Sequence, residues 1–451
     1  MNVASVSSAG SVIGARTAAI PRPSKKKFLP VAILYFFFNG VFLPFGMFYT
    51  TLLAPCFYLW LRGKRQRWIT IKFLLVLAPF IVIHLRHGVD SKFYYLRSLL
   101  LLWTVYVTVY AFCYALKNAR LAEYLFLTII PINFYASIAC LLLALTPMGP
   151  RLWNHNFSAL EGTGYLPRLQ MLCSEPSVYG LLLVPLLIYA VMRLLNRFTV
   201  GNMTRCAMVL FPVLLSQSFG TITMCAAGVA VASLSKAKDL LRKREAWMIL
   251  ILLALLLALI AFTPNPVSTR MASVLSGKDS STASRTFFGF LVADEVASSK
   301  SIWWGAGLGQ AKLQDVSDLG VGFETAVIPN SILVTFAELG LVAVIIKLAA
   351  QVYLFFRTRV YQDSFRLAMF TAAFICQMTG SYLMNVQEYL LWFLAFCPLF
   401  AELSGQLPAS TPRIKPRRLP RVLADPSHPI GFTEALHGST THPEATTRCV
   451  F

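Results

Sequence analysis

RGKRQRWITIKFLLVLAPFIVIHLRHGVD, residues 62–90, decides how this chain is built. Four basic residues stand among its first six, and from Trp68 to Ile83 the only charge is Lys72. About 20 apolar residues make one helix across a bilayer. The basic cluster marks the end that stays in the cytoplasm. Lys72 lies close to that end, where its long stem can carry the ammonium to the interface. A polar segment, 84–98, closes the run, and a second run leads to the next basic cluster, "KNAR" 117–120.

The same punctuation recurs along the chain. Basic clusters fall at "SKKK" 24–27, Arg193 to Arg205, "SKAKDLLRKR" 235–244, "RTR" 357–359 and "PRIKPRRLPR" 412–421. Each interval between neighbouring clusters has room for two crossings, which gives about twelve spans with every cluster on one face. Counted that way, 28 Lys and Arg lie on the cytoplasmic face, 10 on the other, and Lys72 and Lys347 fall within spans. Lys347 is the deeper of the two and faces either the bundle interior or, by snorkelling, the interface. Two intervals are tight. Residues 28–61 suit two short helices meeting near Pro44-Phe45-Gly46, and 206–234 leaves the least room.

Composition agrees. Of 451 residues 57% are apolar and 13% charged, against about 25% charged in soluble domains. In lipid every backbone polar group needs an internal partner, which leaves helices or closed barrels. These runs are too long and uniform for alternating barrel strands. The expected fold is therefore an all-α, polytopic membrane bundle. The net charge of +21 follows from the positive-inside asymmetry and calls for no nucleic-acid partner. Nine cysteines, seven of them in or beside apolar runs, show no disulfide framework and no metal spacing. GAGLG at 305–309 lacks the strand–turn–helix setting of a dinucleotide loop. Residues 1–27 read as an uncleaved cytoplasmic start, 28–404 as the membrane domain, and 405–451 as a disordered basic tail.

Three segments fall on the outer face: 84–98, 146–176 and 263–328. The last holds "SRTFFGFLVADEVASSKSIWWGAGLG", 284–309, in which apolar punctuation and Trp303-Trp304 suggest a helix against the membrane surface. Its glycines permit tight turns and close backbone approach. Arg151, Arg168, Arg270 and Arg285 stand out in the two larger loops. A guanidinium suits phosphate through its bidentate fork. An outer-face enzyme has no ATP, so an energised substrate there would be a lipid-linked diphosphate sugar, whose departing charge needs cations. The plainer alternative pairs these arginines with headgroups or with acids such as Asp294 and Glu295. A hydroxyl acceptor needs a base within reach; Glu161, Glu175, Asp294, Glu295, Asp315, Asp318 and Glu324 are the outer carboxylates available, and His155 reads as an interfacial polar residue.

"RLQMLCSEPSVYGLLLVPLL" (168–187), the 284–309 stretch and "IPNSILVTFAELGLVAVI" (328–345) together resemble, in order, three motifs of bacterial O-antigen polymerases and ligases. The resemblance covers roughly 160–350. It implies a GT-C-like inner-membrane glycosyltransferase with a large periplasmic loop, acting on undecaprenyl-diphosphate-linked oligosaccharide without metal or other cofactor. Carried over motif by motif, Arg168 and Arg285 hold the diphosphate and Glu175 opens the matching helix; these three form the expected catalytic set. Arg270, Asn330, Glu324 and Trp304 form the expected substrate-binding set. Expected partners are membrane lipids, a chain-length regulator and export proteins. Two departures matter. Pro329 stands where ligases carry a His before the Asn, and "SQSFG" (216–220) puts Phe219 where many members have Arg. Both favour an exopolysaccharide polymerase over a ligase. The rivals outside the class are a transporter or flippase, and a non-catalytic assembly partner.

The charge asymmetry predicts that a reporter fused after Lys278 is extracytoplasmic and one fused after Arg244 cytoplasmic. A paired phosphatase and fluorescent-protein fusion assay checks this, and the reverse pattern overturns the topology.

Overall fold

The computed structural model describes residues 32–33, 35, 42–43, 47–63, 68–116, 119–154, 167–235, 285, 287–315, 328–380, 383–400 and 403. Arg270, Glu324, both terminal segments and most of the 263–328 loop lie outside these residues. The longer helices are α1 (Tyr49–Gly63), α2 (Ile69–His87), α3 (Lys92–Leu116) and α4 (Ala119–Leu143). A short turn, α5 (Gly149–Leu152), precedes α6 (Pro176–Asn196), α7 (Val200–Ser216) and α8 (Phe219–Ser235). Then come α9 (Phe287–Ser298), α10 (Ser331–Arg357), α11 (Ser364–Thr379) and α12 (Val386–Phe396). Among the described residues five helices are long and apolar enough to cross a membrane: Ile69–His87, Lys92–Leu116, Leu121–Leu143, Pro176–Asn196 and Ser331–Arg357. This is a helical membrane protein.

Flanking Pro44-Phe45-Gly46, where two helices were expected to meet, β1 (Phe42–Leu43) pairs with β2 (Met47–Phe48) before α1 begins; most of the first expected helix lies outside the described residues. The tight interval 206–234 is solved by two 17-residue helices, α7 and α8, each about 25 Å long. They join through Gln217, in the left-handed region at φ 45°, and Ser218, whose Oγ accepts from the Thr221 amide.

The bundle has a centre and a rim. Pro176–Asn196 is 78% buried over its apolar window, whereas Ile69–His87 and Ser331–Arg357 are 28% buried. An apolar helix covered all round is the middle of a bundle; one that leaves Leu75, Val76, Val82, Ile345 and Ile346 uncovered presents a face to lipid. Around the centre pack α7, α8, α11 and α12. Helices α8 and α11 approach closely, because a Cβ at Gly228 would lie 2.6 Å from the Ala368 carbonyl oxygen; small residues set such contacts where apolar area gives no driving force against lipid.

Polar contacts gather at the two ends. At one end Arg193 pairs with Glu123, and buried Arg366 donates to the carbonyls of Ala395 and Phe396 and to Thr358 Oγ1. A cation there answers the partial negative charge at the C-terminus of α12. At the other end Asp90 pairs with Lys300 at 2.8 Å, and Gln310 bonds both the amide and the carbonyl of Ser91.

α10 is two helices. Gly340 has φ 78° and ψ 179°, so 331–339 turns sharply into 341–357. A break frees backbone groups that lipid cannot satisfy. The segment after α9 supplies partners: Ala306 N donates to Ala337 O, Gly307 N to Glu338 O, Leu341 N to Ile302 O and Val342 N to Trp303 O. Gly305, Gly307 and Gly309 all have positive φ, which lets SIWWGAGLG fold into the gap. α9 packs Val292, Ala293 and Val296 with Ala306, Ile328 and Ala337. Its other side leaves Phe287, Phe288 and Phe290 exposed. The helix expected on the membrane surface therefore covers the first part of α10 with one face.

A Cβ at Gly340 would sit 2.2 Å from Trp303 O, and left-handed backbone costs any other residue more. Gly340→Ala is expected to destabilise the protein by about 3 kcal/mol or more, read as a lowered thermal midpoint in detergent with early proteolysis between 299 and 314. An unchanged midpoint would remove the break from the fold.

Candidate functional site

Three first turns meet at the end of the bundle that carries the 299–314 segment. The first is that of α6. Glu175 is its N-cap, exposed, with extended backbone, and Glu175 Oε2 accepts from Ser177 Oγ at 2.9 Å. Just before it, β4 (Arg168–Leu169) pairs with β3 (Trp153–Asn154), setting Arg168 opposite Asn154. Trp153 anchors that pair by donating to the Cys140 carbonyl. Arg168 Nε donates to the Ser216 carbonyl at 3.2 Å, in the last turn of α7, where a cation meets the negative end of the helix.

The second is the first turn of α10. Asn330 caps it, Oδ1 accepting from the amides of Ile332 and Leu333. Its Nδ2 donates to the carbonyls of Met378 (3.1 Å) and Arg285 (3.4 Å). This ties the end of α11 and the start of the α9 segment to α10. Asn330 is thus a structural hub with its amide engaged on every side.

The third belongs to α12, which reads NVQE at 385–388 and was not singled out from the sequence. Asn385 caps it through the Gln387 amide. Gln387 Nε2 reaches the Val178 carbonyl at 3.5 Å. Glu388, with no exposed surface, accepts from Ser331 Oγ at 2.6 Å and from Lys347 Nζ at 2.8 Å. Lys347 Nζ also donates to Ser331 Oγ at 3.2 Å. A turn lower, Gln351 and Gln377 bond each other. The first turn of α8 joins the group, since a Cβ at Gly180 would meet Thr221 Oγ1 and Ser218.

A contiguous path of contacts therefore runs from Arg168 through Ser216, the α8 turn, α6, Gln387, Glu388, Ser331 and Asn330 to Arg285. It brings together the 168–187, 284–309 and 328–345 stretches at the N-termini of α6, α8, α10 and α12. Four helix N-termini gather here and their partial positive charge favours anions: Glu388 is the one held between those of α10 and α12, and Glu175 stands at that of α6. Trp304 stands apart from this path. Its carbonyl accepts from His84 Nε2 at 2.7 Å and its ring meets Phe80 edge-on, so its described contacts are packing contacts around the α10 break. Lys347 takes the bundle-interior alternative.

The sequence showed Lys347 as an unexplained charge but gave no partner. Glu388, 41 residues away, carried the usable signal: an acid inside an apolar run is rare and needs a cation. No protein-family model matches the chain, and a search of curated proteins finds no match.

Removing one member of a buried ion pair strands the other. Glu388→Ala and Glu388→Gln both strand the Lys347 ammonium, so each is expected to cost about 3–5 kcal/mol, the Gln variant about 1 kcal/mol less because it keeps an acceptor for Ser331. Thermal unfolding of the purified protein in detergent checks this; wild-type midpoints for both variants would deny the pair any weight in the fold.

Proposed function

We propose that this protein is a polysaccharide polymerase: a glycosyltransferase that joins undecaprenyl-diphosphate-linked repeat units at the outer face of a bacterial inner membrane. The observation that carries the reading is the convergence of four helix N-termini with the Arg168 and Arg285 segments at one end of the bundle. A diphosphate leaving group develops charge as the glycosidic bond breaks, and fixed dipoles with guanidinium groups stabilise that charge without reorganising. The growing glycan leaves its carrier for a hydroxyl on a second lipid-linked unit, and Glu175, exposed beside the α6 N-terminus, is the carboxylate best placed to take the proton. A chain-length regulator and export proteins are the partners this activity calls for. A ligase differs only in the acceptor, and Pro329 in place of a His weighs against it.

A second reading, transport of a lipid-linked sugar, is favoured by one specific observation. The broken helix α10 and the ion pair of half-buried Lys347 with buried Glu388 are features that transporters place within the membrane. The two readings separate in a strain lacking the gene. A polymerase leaves single repeat units on carrier at the outer leaflet; a flippase leaves them on the cytoplasmic leaflet.

For the polymerase, Arg285→Ala and Arg168→Ala are each expected to lower polymer yield about ten- to a hundredfold, the worth of a charge-assisted contact of roughly 1.5–3 kcal/mol. Arg285→Lys keeps charge without the fork and retains part of the activity. Arg151→Ala, outside the path, matters less. Membrane levels are measured alongside by immunoblot. Wild-type polymer from both alanine variants sinks the diphosphate assignment.

A further inference from the structure

We propose that Lys347 and Glu388 are a positioning couple that fixes where the Arg285 segment sits. Lys347 and Ser331 belong to one helical element and stand 16 residues apart, a span of about 24 Å in a straight helix. Their side chains meet at 3.2 Å because the Gly340 break folds 331–339 back along 341–357. Glu388, from α12, closes the triangle with both. The couple thereby sets the first residue of α10. The neighbouring residue, Asn330, holds the carbonyls of Arg285 and Met378. Two covalently adjacent residues thus link a buried charge pair to the backbone of the proposed phosphate-facing arginine.

A role in stability alone does not account for the pair. Glu388 is fully buried and Lys347 half-buried; charges taken out of water recover their desolvation cost only with good geometry, and apolar side chains of similar volume commonly do as well. What an apolar pair does not supply is a directional acceptor for Ser331 Oγ. Fixing one geometry is the service assigned to this pair, since Glu388 alone gives Ser331 Oγ its acceptor. The inference depends on the diphosphate reading only for its effect on activity; the positioning itself is a statement about the chain.

The test uses the full-length protein in nanodiscs and compares wild type with two doubles. One is Lys347→Met with Glu388→Met; the other is the swap, Lys347→Glu with Glu388→Lys. Hydrogen exchange is followed by mass spectrometry. With the apolar double, exchange in peptides from 285–298 and 328–339 is expected to rise about tenfold, the change a lost hydrogen bond of ordinary strength makes in a local opening equilibrium. Peptides from α3 and α6 keep wild-type exchange, and the swap restores much of the protection. Polymer yield in cells falls with the apolar double and partly returns with the swap. Unchanged exchange at 285–298 and 328–339, or a rise spread evenly over α3 and α6, overturns the positioning role. Faster exchange confined to those two segments with wild-type polymer upholds the positioning and overturns the diphosphate reading instead.

Discussion

The fold turns on four backbone hydrogen bonds across the gap in α10. Ala306 and Gly307 donate to Ala337 and Glu338, and Leu341 and Val342 donate to Ile302 and Trp303. Without them a glycine break within an apolar helix would leave amides and carbonyls with no partner in hydrocarbon. With them, the chain can reverse at Gly340, which puts Ser331 beside Lys347 and brings the α10 N-terminus to those of α6 and α12. The segment that fills the gap is in turn clamped to the α2–α3 hairpin by Asp90–Lys300, Gln310–Ser91 and His84–Trp304. One end of the bundle is thus organised by main-chain pairing rather than by apolar packing, as fits a medium in which burying apolar surface gains little.

That organisation explains where charge is allowed. Lys347 and Glu388 are placed where two capped helix N-termini meet, so the carboxylate has a cation, a hydroxyl donor and favourable dipoles together. Arg366 occupies the complementary place at the other end, against the last carbonyls of α12. Helix α12 is short, and each of its ends is held by a side chain from a neighbouring helix. Its eleven residues owe their place in the bundle to polar ends as much as to the aromatic packing of Trp392, Phe393 and Phe396 around Phe370 and Phe365.

Much of the fold was legible because its signals are local. Basic clusters and apolar runs locate α2, α3, α4 and α6, and the "AELG" of 337–340 sits where the helix breaks. Asn330, expected among the substrate-binding residues, is the α10 cap. What stayed hidden is long-range. Nothing near Lys347 names Glu388, and nothing in WWGAGLG says that its amides answer carbonyls of 337 and 338, about thirty residues on. The same limit applies to the site. Arg168, Glu175 and Arg285 were visible as scarce charges on one face, but NVQE, which joins the first turns of α6 and α10, is four ordinary residues whose meaning depends on the partners those helices present. Trp304 was read for its aromatic face, whereas its carbonyl makes the more telling contact.

The distance in sequence between the two paired charges has a consequence for how the protein is made. Translation runs at about 5–20 residues per second, so the 41 residues between Lys347 and Glu388 separate their emergence from the ribosome by about 2–8 s. During that interval the nascent α10 carries an ammonium without its carboxylate. The lysine can wait only by reaching for headgroups or by staying beside the insertion machinery. Helix α6, made long before, is partly covered by α7 and α8 as they follow it, and its enclosure is completed only when α11 and α12 arrive. The polar end of the bundle is therefore the last part to be completed in biogenesis, and its closure falls to the final described helix of the chain.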